Sequence, residues 1–145
     1  MNFLKQKKGQ SIIEFAVVLP LLLFLFLAII YVGMLLADYV SLENLARQTA
    51  RLGAMGKTQA AVIEMYEADE TQTTLPEFLY TWNPGDDSAL IIKPDTDTMG
   101  RRAKVTIQAT RREGVTTLNI MGHTIGLPEK LRIQYSMHYE VPWDE

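Results

Sequence analysis

From Phe15 to Ala37 the chain reads FAVVLPLLLFLFLAIIYVGMLLA, 23 residues without a charge. As a helix rising ~1.5 Å per residue this run is about 34 Å long, enough to cross a hydrocarbon core of ~30 Å. It is apolar on every face, so it offers nothing to water and is a poor fit to the buried helix of a water-soluble protein. Lys5, Lys7 and Lys8 stand just ahead of it. Basic residues are retained on the cytoplasmic side of a span, which places the N-terminus inside and the bulk of the chain outside. A secretory signal shares the basic start, but its apolar part is ~7–15 residues long and ends at a small-x-small site. Here the run is longer, and Ala28 and Ala37 lie within it or at its far edge, so the expectation is a retained span.

Past Asp38 the pattern becomes amphipathic. Leu42, Leu45, Ala46, Thr49, Ala50 and Leu52 or Gly53 follow the i, i+3, i+4, i+7 spacing of a helix with one apolar stripe. Arg47 and Arg51, four apart, line another side and read as a solvated face near lipid head groups, in preference to a partner-binding ridge. Gly53 and Gly56 weaken the helix, and Thr58 to Tyr66 predicts a further helical segment after a bend. From Thr71 to Gly100, Pro76, Pro84 and Pro94 break any long element. Asn83-Pro84-Gly85-Asp86 reads as a tight turn, and Ala89 to Lys93 as a short strand.

The period then changes to two. Ala103, Val105, Ile107 and Ala109 alternate with Lys104, Thr106, Gln108 and Thr110, and Arg112-Glu113-Gly114 is expected to turn the chain into a strand over Val115 to Met121. In the last segment Leu131, Ile133, Tyr135, Met137, Tyr139 and Val141 share one side, while Arg132, Gln134, Ser136, His138 and Glu140 share the other. Three or four antiparallel strands with one apolar face need a cover, and the amphipathic half of the long helix is available. The expected fold is therefore α+β: a long N-terminal transmembrane helix, 10–56, packed on a small antiparallel β-sheet. Residues 57–145 form an extracytoplasmic α+β domain with C-terminal antiparallel strands.

Charge and composition remove several function classes. Of the 14 Lys and Arg, three precede Gln10, leaving 11 against 17 acids, a net of −6 for the rest of the chain. That sign gives nucleic-acid binding no electrostatic support. There is no cysteine, hence no disulfide, thiolate metal site or cysteine nucleophile. Asp95 to Gly100 invites a calcium loop, but the twelfth position falls on Thr106, which lacks the bidentate carboxylate of an EF-hand. His123 and His138 have no second ligand at a metal-motif spacing, and no nucleophile elbow or phosphate-binding glycine loop occurs. Neither an enzyme nor a cofactor, metal or small-molecule substrate is expected.

Glu14 is a lone carboxylate just ahead of the apolar run. An ionisable group in a span costs up to ~3 kcal/mol at the bilayer centre, less near its edge, and points to function. Alternatively, it sits at a helix N-terminus where the dipole favours it. The string Lys7-Lys8-Gly9-Gln10-Ser11-Ile12-Ile13-Glu14-Phe15 resembles a prepilin processing site: basic leader, glycine, four residues, then glutamate and an aromatic. The continuation through Val18-Leu19-Pro20, and the alanine- and arginine-bearing stretch Leu42 to Ala54, are similar to TadE-like and TadG-like proteins of the tight-adherence (Tad/Flp) type IV pilus system. The resemblance covers roughly residues 5–56.

The resemblance implies a leader over 1–9, with Lys5, Lys7 and Lys8 as its basic part, cut between Gly9 and Gln10 by a prepilin peptidase at the cytoplasmic face. Glu14, fifth in the mature chain, would pair with the Gln10 amine of a neighbouring subunit, with Phe15 and Pro20 in the same assembly segment. A glycine offers the peptidase no side chain to obstruct approach. Pro20 removes one helical hydrogen bond, to the Ala16 carbonyl, and is expected to kink or loosen the helix. The architecture implied is pilin-like and the function structural: a minor pilin or pseudopilin in pilus assembly or cell adhesion. Its partners would be the cytoplasmic (inner) membrane, the peptidase, other pilins and pilus assembly proteins. The alternative is an uncleaved signal-anchored membrane protein with a small extracytoplasmic binding domain.

Overall fold

The structure is a computed structural model describing residues 3–69, 75–97, 100–115, 118–120 and 123–139; side chains are described except in 3–11, 96–97, 118–120 and 123–125. Two compact units make up the chain, Met1–Leu35 and Leu36–Glu145.

The first unit is helical. It holds the start of α1 (Phe3–Ala54), which begins ahead of the expected Gln10 and carries Pro20 inside its helical course. Proline removes one donor without ending the helix, because the remaining backbone bonds are local. Every described large side chain from Ile12 to Val32 is exposed, so the described part of this unit has no core.

The second unit holds the rest of α1, then α2 (Gln59–Ala68), β1 (Tyr80–Thr81), β2 (Leu90–Asp97), β3 (Gly100–Arg111), β4 (Leu118–Ile120), β5 (His123–Ile125) and β6 (Lys130–His138). Strand β3 is central. One edge pairs antiparallel with β6, Arg102 opposite His138 to Thr110 opposite Lys130. The other edge takes β2, Leu90 opposite Ile107 to Asp97 opposite Gly100, then β1 at Thr110 and Arg111. An apolar helix stripe thus lies over a four-stranded antiparallel sheet, the α+β pilin-like arrangement expected.

Two expectations are corrected, and one strand is new. The strand predicted over Val115 to Met121 is only β4, which pairs with β5 in a separate two-stranded ladder; β6 takes the place beside β3. Residues 116–117 and 121 lie outside the described residues. The short strand at Ala89 to Lys93 extends as β2 through Pro94, which was expected to interrupt it. The Ile92 amide points away from β3, toward Gln59 Oε1 at 3.2 Å. Pro94 shares that parity on an outer strand, where its missing N–H breaks no ladder bond. Lastly, β1 was not anticipated, because two residues carry no readable period.

The helix stripe matches the sequence pattern. Leu42, Leu45, Ala46, Thr49, Ala50 and Gly53 are buried, and Arg47 and Arg51 are exposed. Facing them are Ala103, Val105, Ile107 and Ala109 of β3 and Ile133 of β6, with Val62 and Tyr66 of α2 closing one side. Small residues set the spacing: a Cβ on Gly53 would lie 3.2 Å from Ile92 Cγ2 and 3.3 Å from Ala103 Cβ. Helix α1 ends in a Schellman motif. The Lys57 amide donates to Leu52 O and the Gly56 amide to Gly53 O, both at 3.0 Å, with Gly56 at φ 83°. Thr58 then caps α2, its hydroxyl accepting from the Ala61 amide.

Candidate functional site

Along α1 the expected processing and assembly residues fall in one short segment. Lys5, Lys7, Lys8, Gly9 and Gln10 are helical, and their side chains lie outside those described. Glu14, Phe15 and Pro20 follow on the same helix, and Phe15 is 64% exposed. Gln10 and Glu14 are four positions apart, about 6 Å along the axis and on neighbouring faces. From Ile12 to Val32 the helix offers apolar side chains on all sides, with Ile12 at 69% and Leu21 at 70% exposure. A surface of this kind is stable only in lipid or against other apolar helices. Among the described residues one helix is long and apolar enough to cross a membrane, which suggests a membrane or pilin anchor.

The uncharged run ends at a residue that the sequence reading did not single out. Asp38 is only 2% exposed, yet its carboxylate accepts three backbone bonds: Oδ1 from the Phe78 amide at 3.0 Å, Oδ2 from Leu79 at 2.7 Å and Tyr80 at 3.0 Å. Such donors replace the water a buried carboxylate would lose. They also fix the segment entering β1, where Glu77 has φ 48° and the Arg112 amide donates to Leu79 O at 2.9 Å. A signal was present in the sequence. Asp38 precedes Leu42, Leu45, Ala46 and Thr49 by 4, 7, 8 and 11 positions, on the buried stripe itself.

Above that anchor a second polar link joins α1 to α2. Thr49 Oγ1 donates to Leu45 O at 2.8 Å and lies 2.9 Å from the Tyr66 hydroxyl. The Tyr66 ring meets Trp82 edge-on at 5.9 Å, and Trp82 Nε1 donates to Ala89 O at 3.0 Å. Burial raises the Tyr66 phenol above its ordinary 10.0, partly offset by the Thr49 bond.

No metal-ligating group of three or more side chains occurs among the described residues; Asp95 to Asp97 end β2 and Gly100 begins β3, while residues 98–99 lie outside the described residues. His138 is exposed on the polar side of β6, as expected; the side chain of His123 lies outside those described.

Residues 9–51 match the family model described as TadE-like protein. The match is to this segment alone, 9–51 of the 145 residues. The match opens at Gly9, takes in Glu14, Phe15 and Pro20, and closes at Arg51 on the buried-stripe helix. The TadE-like family is linked to Tad pilus biogenesis and is generally non-catalytic. No curated protein and no solved structure matches the chain.

Proposed function

We propose that this TadE-like protein is a minor pilin or pseudopilin of a tight-adherence pilus, structural and not catalytic. A prepilin peptidase would cut it between Gly9 and Gln10, and it would join other pilins and pilus assembly proteins from the inner membrane. The N-terminus would lie inside and the sheet-bearing unit outside. One observation carries the reading: a basic segment, Gly9, Glu14 and Phe15 stand in order at the head of a helix whose apolar residues are exposed all round. A helix of that surface is equally at home in lipid and in the apolar core of a helix bundle. Storage in the membrane and packing in a filament can therefore use the same side chains.

Glu14 has a specific task in this reading. Cutting after Gly9 creates an ammonium at Gln10, and the Glu14 carboxylate of an adjoining subunit would neutralise it. The pair offsets the cost of removing both charges from water and sets the axial stagger. The test is the N-terminal sequence and intact mass of the protein from cells with and without the peptidase. A peptidase-dependent start at Gln10 supports the proposal. A start at Met1 in both strains overturns it in favour of an uncleaved signal-anchored binding module.

A further inference from the structure

Beyond the apolar helix, the second unit is polarised in charge across its sheet. On the β6 side, Asn44, Arg47, Gln48 and Arg51 of α1 and Tyr135 and Met137 of β6 line an open groove of about 420 Å³. The Arg47 guanidinium lies over the Tyr135 ring at 5.6 Å and pairs with Glu43 one turn back. Arg51 makes no ion pair among the described residues. The groove thus holds an aromatic floor, two amides and a cation in surplus, all solvent-exposed except the half-buried Tyr135 and Met137.

At the opposite edge acids gather on α2 and the turn after Asn83, with Lys57 ahead of α2 and Lys93 on β2 as the nearby cations. Helix α2 packs beside β2, which lies across β3 from β6. Its Glu64 and Glu67 point outward, and Glu67 Oε1 lies 3.2 Å from where a Cβ on Gly85 would be. That places Glu67 against the turn carrying Asp86 and Asp87, both exposed. Neither α2 nor the segment 83–88 contains a basic residue.

We propose that the Arg47–Arg51 groove takes the acidic α2 edge of a second copy of this chain, in a head-to-tail contact. The inference rests on the reading of the protein as an assembly subunit, and adds the surface by which its folded units meet. The two patches occupy opposite edges of the sheet, so one copy cannot satisfy itself and two copies cannot close the contact reciprocally. A heterologous contact of this kind propagates, giving a ring if its rotation closes and an open filament if it does not. Guanidinium groups in a fork geometry recognise carboxylates bidentately, and Tyr135 holds one of them in orientation.

The chain lacks cysteine, so cross-links can be placed at will. Full-length Gln48→Cys and Asp87→Cys chains would be mixed in detergent and treated with a short bismaleimide. A mixed dimer several-fold above either chain alone is expected, with a ladder when both substitutions share one chain. Arg51→Glu added to the Gln48→Cys chain should cut the yield about tenfold, and Glu67→Arg in its partner should restore it. About 1 M salt, with a Debye length of ~3 Å, should lower the yield as well. Homodimers of Gln48→Cys alone, or yields indifferent to Arg51→Glu, overturn the proposal. So does loss of anionic-vesicle binding by Arg51→Glu with cross-linking unaltered, which would assign the groove to lipid head groups. Cross-linking does not depend on cleavage at Gly9, so failure here leaves the prepilin reading standing. A start at Met1 with cross-links intact would defeat that reading and leave this contact in place.

Discussion

The two halves of α1 are one helix in the backbone and two different objects in their side chains. From Ile12 to Val32 large apolar residues are exposed on every side; from Asp38 to Ala54 one stripe is buried and the opposite side carries Glu43, Arg47 and Arg51. The first half finds no partner within its own unit, so its environment must come from lipid or from other helices. The second half has its partner in the same unit, the face of β3 and β6. Residue size reports the difference. Leucine and phenylalanine dominate where the surroundings are fluid or supplied by neighbours, whereas Ala46, Ala50, Gly53 and Ala54 appear where the helix meets a fixed sheet. A substitution in one half should therefore leave the other nearly untouched.

The largest effect is expected at the junction. Asp38→Ala removes the acceptor for three backbone amides and should destabilise the second unit by roughly 3–5 kcal/mol. Loss of near-UV circular dichroism at a lower denaturant concentration would show it. Wild-type stability in that variant would mean that the segment 78–80 is held by its other bonds. Leu25→Lys acts on the other half: a lysine at mid-span costs about 3 kcal/mol of membrane insertion. The fraction resistant to alkaline extraction should fall, while the second unit keeps its unfolding midpoint. If that midpoint drops in parallel, the two halves are not independent.

Smaller effects sharpen the comparison. Gly53→Val pushes two methyl groups toward Ile92 and Ala103 and should cost about 1–3 kcal/mol by overpacking. The same change at Gly33, with nothing within 4 Å of its Cβ position, should leave thermal unfolding unchanged. Tyr66→Phe deletes the bond to Thr49 and should cost about 1 kcal/mol. It should also alter the alkaline limb. Because folding raises the Tyr66 pKa above 10.0, its contribution is fully present below pH 10 and is lost as pH rises through the higher folded value. Melting curves from pH 8 to 11 should show a shallower alkaline decline in Tyr66→Phe than in the parent.

Much of this was legible in the sequence because it was periodic or ordered. The long apolar helix followed from an uncharged run, and the helix stripe from Leu42 to Gly53 from its 3.6 spacing. The strands β3 and β6 followed from alternation over eight or more residues, and the turn at Asn83 from an Asx-Pro-Gly string, now seen as Asp86 N to Asn83 O at 3.2 Å. What failed was pairing. Adjacency suggested that β3 would turn into the next segment, yet β6 lies beside it, because a nine-residue strand with an apolar side outcompetes the three residues of β4 for the core edge. Asp38 was passed over because an acid directly after a span is ordinarily at the water surface.

The sequence by itself determined the long apolar helix and the presence of a helix-covered sheet, since each depends on local composition and period. Only the tertiary structure decided that Asp38 is buried under the Phe78–Tyr80 backbone. It also decided that Gly53 sits against Ile92 and Ala103, and that arginines and acids occupy opposite sheet edges. Those facts depend on which residues far apart in the chain meet, and no local pattern encodes a distance across forty positions.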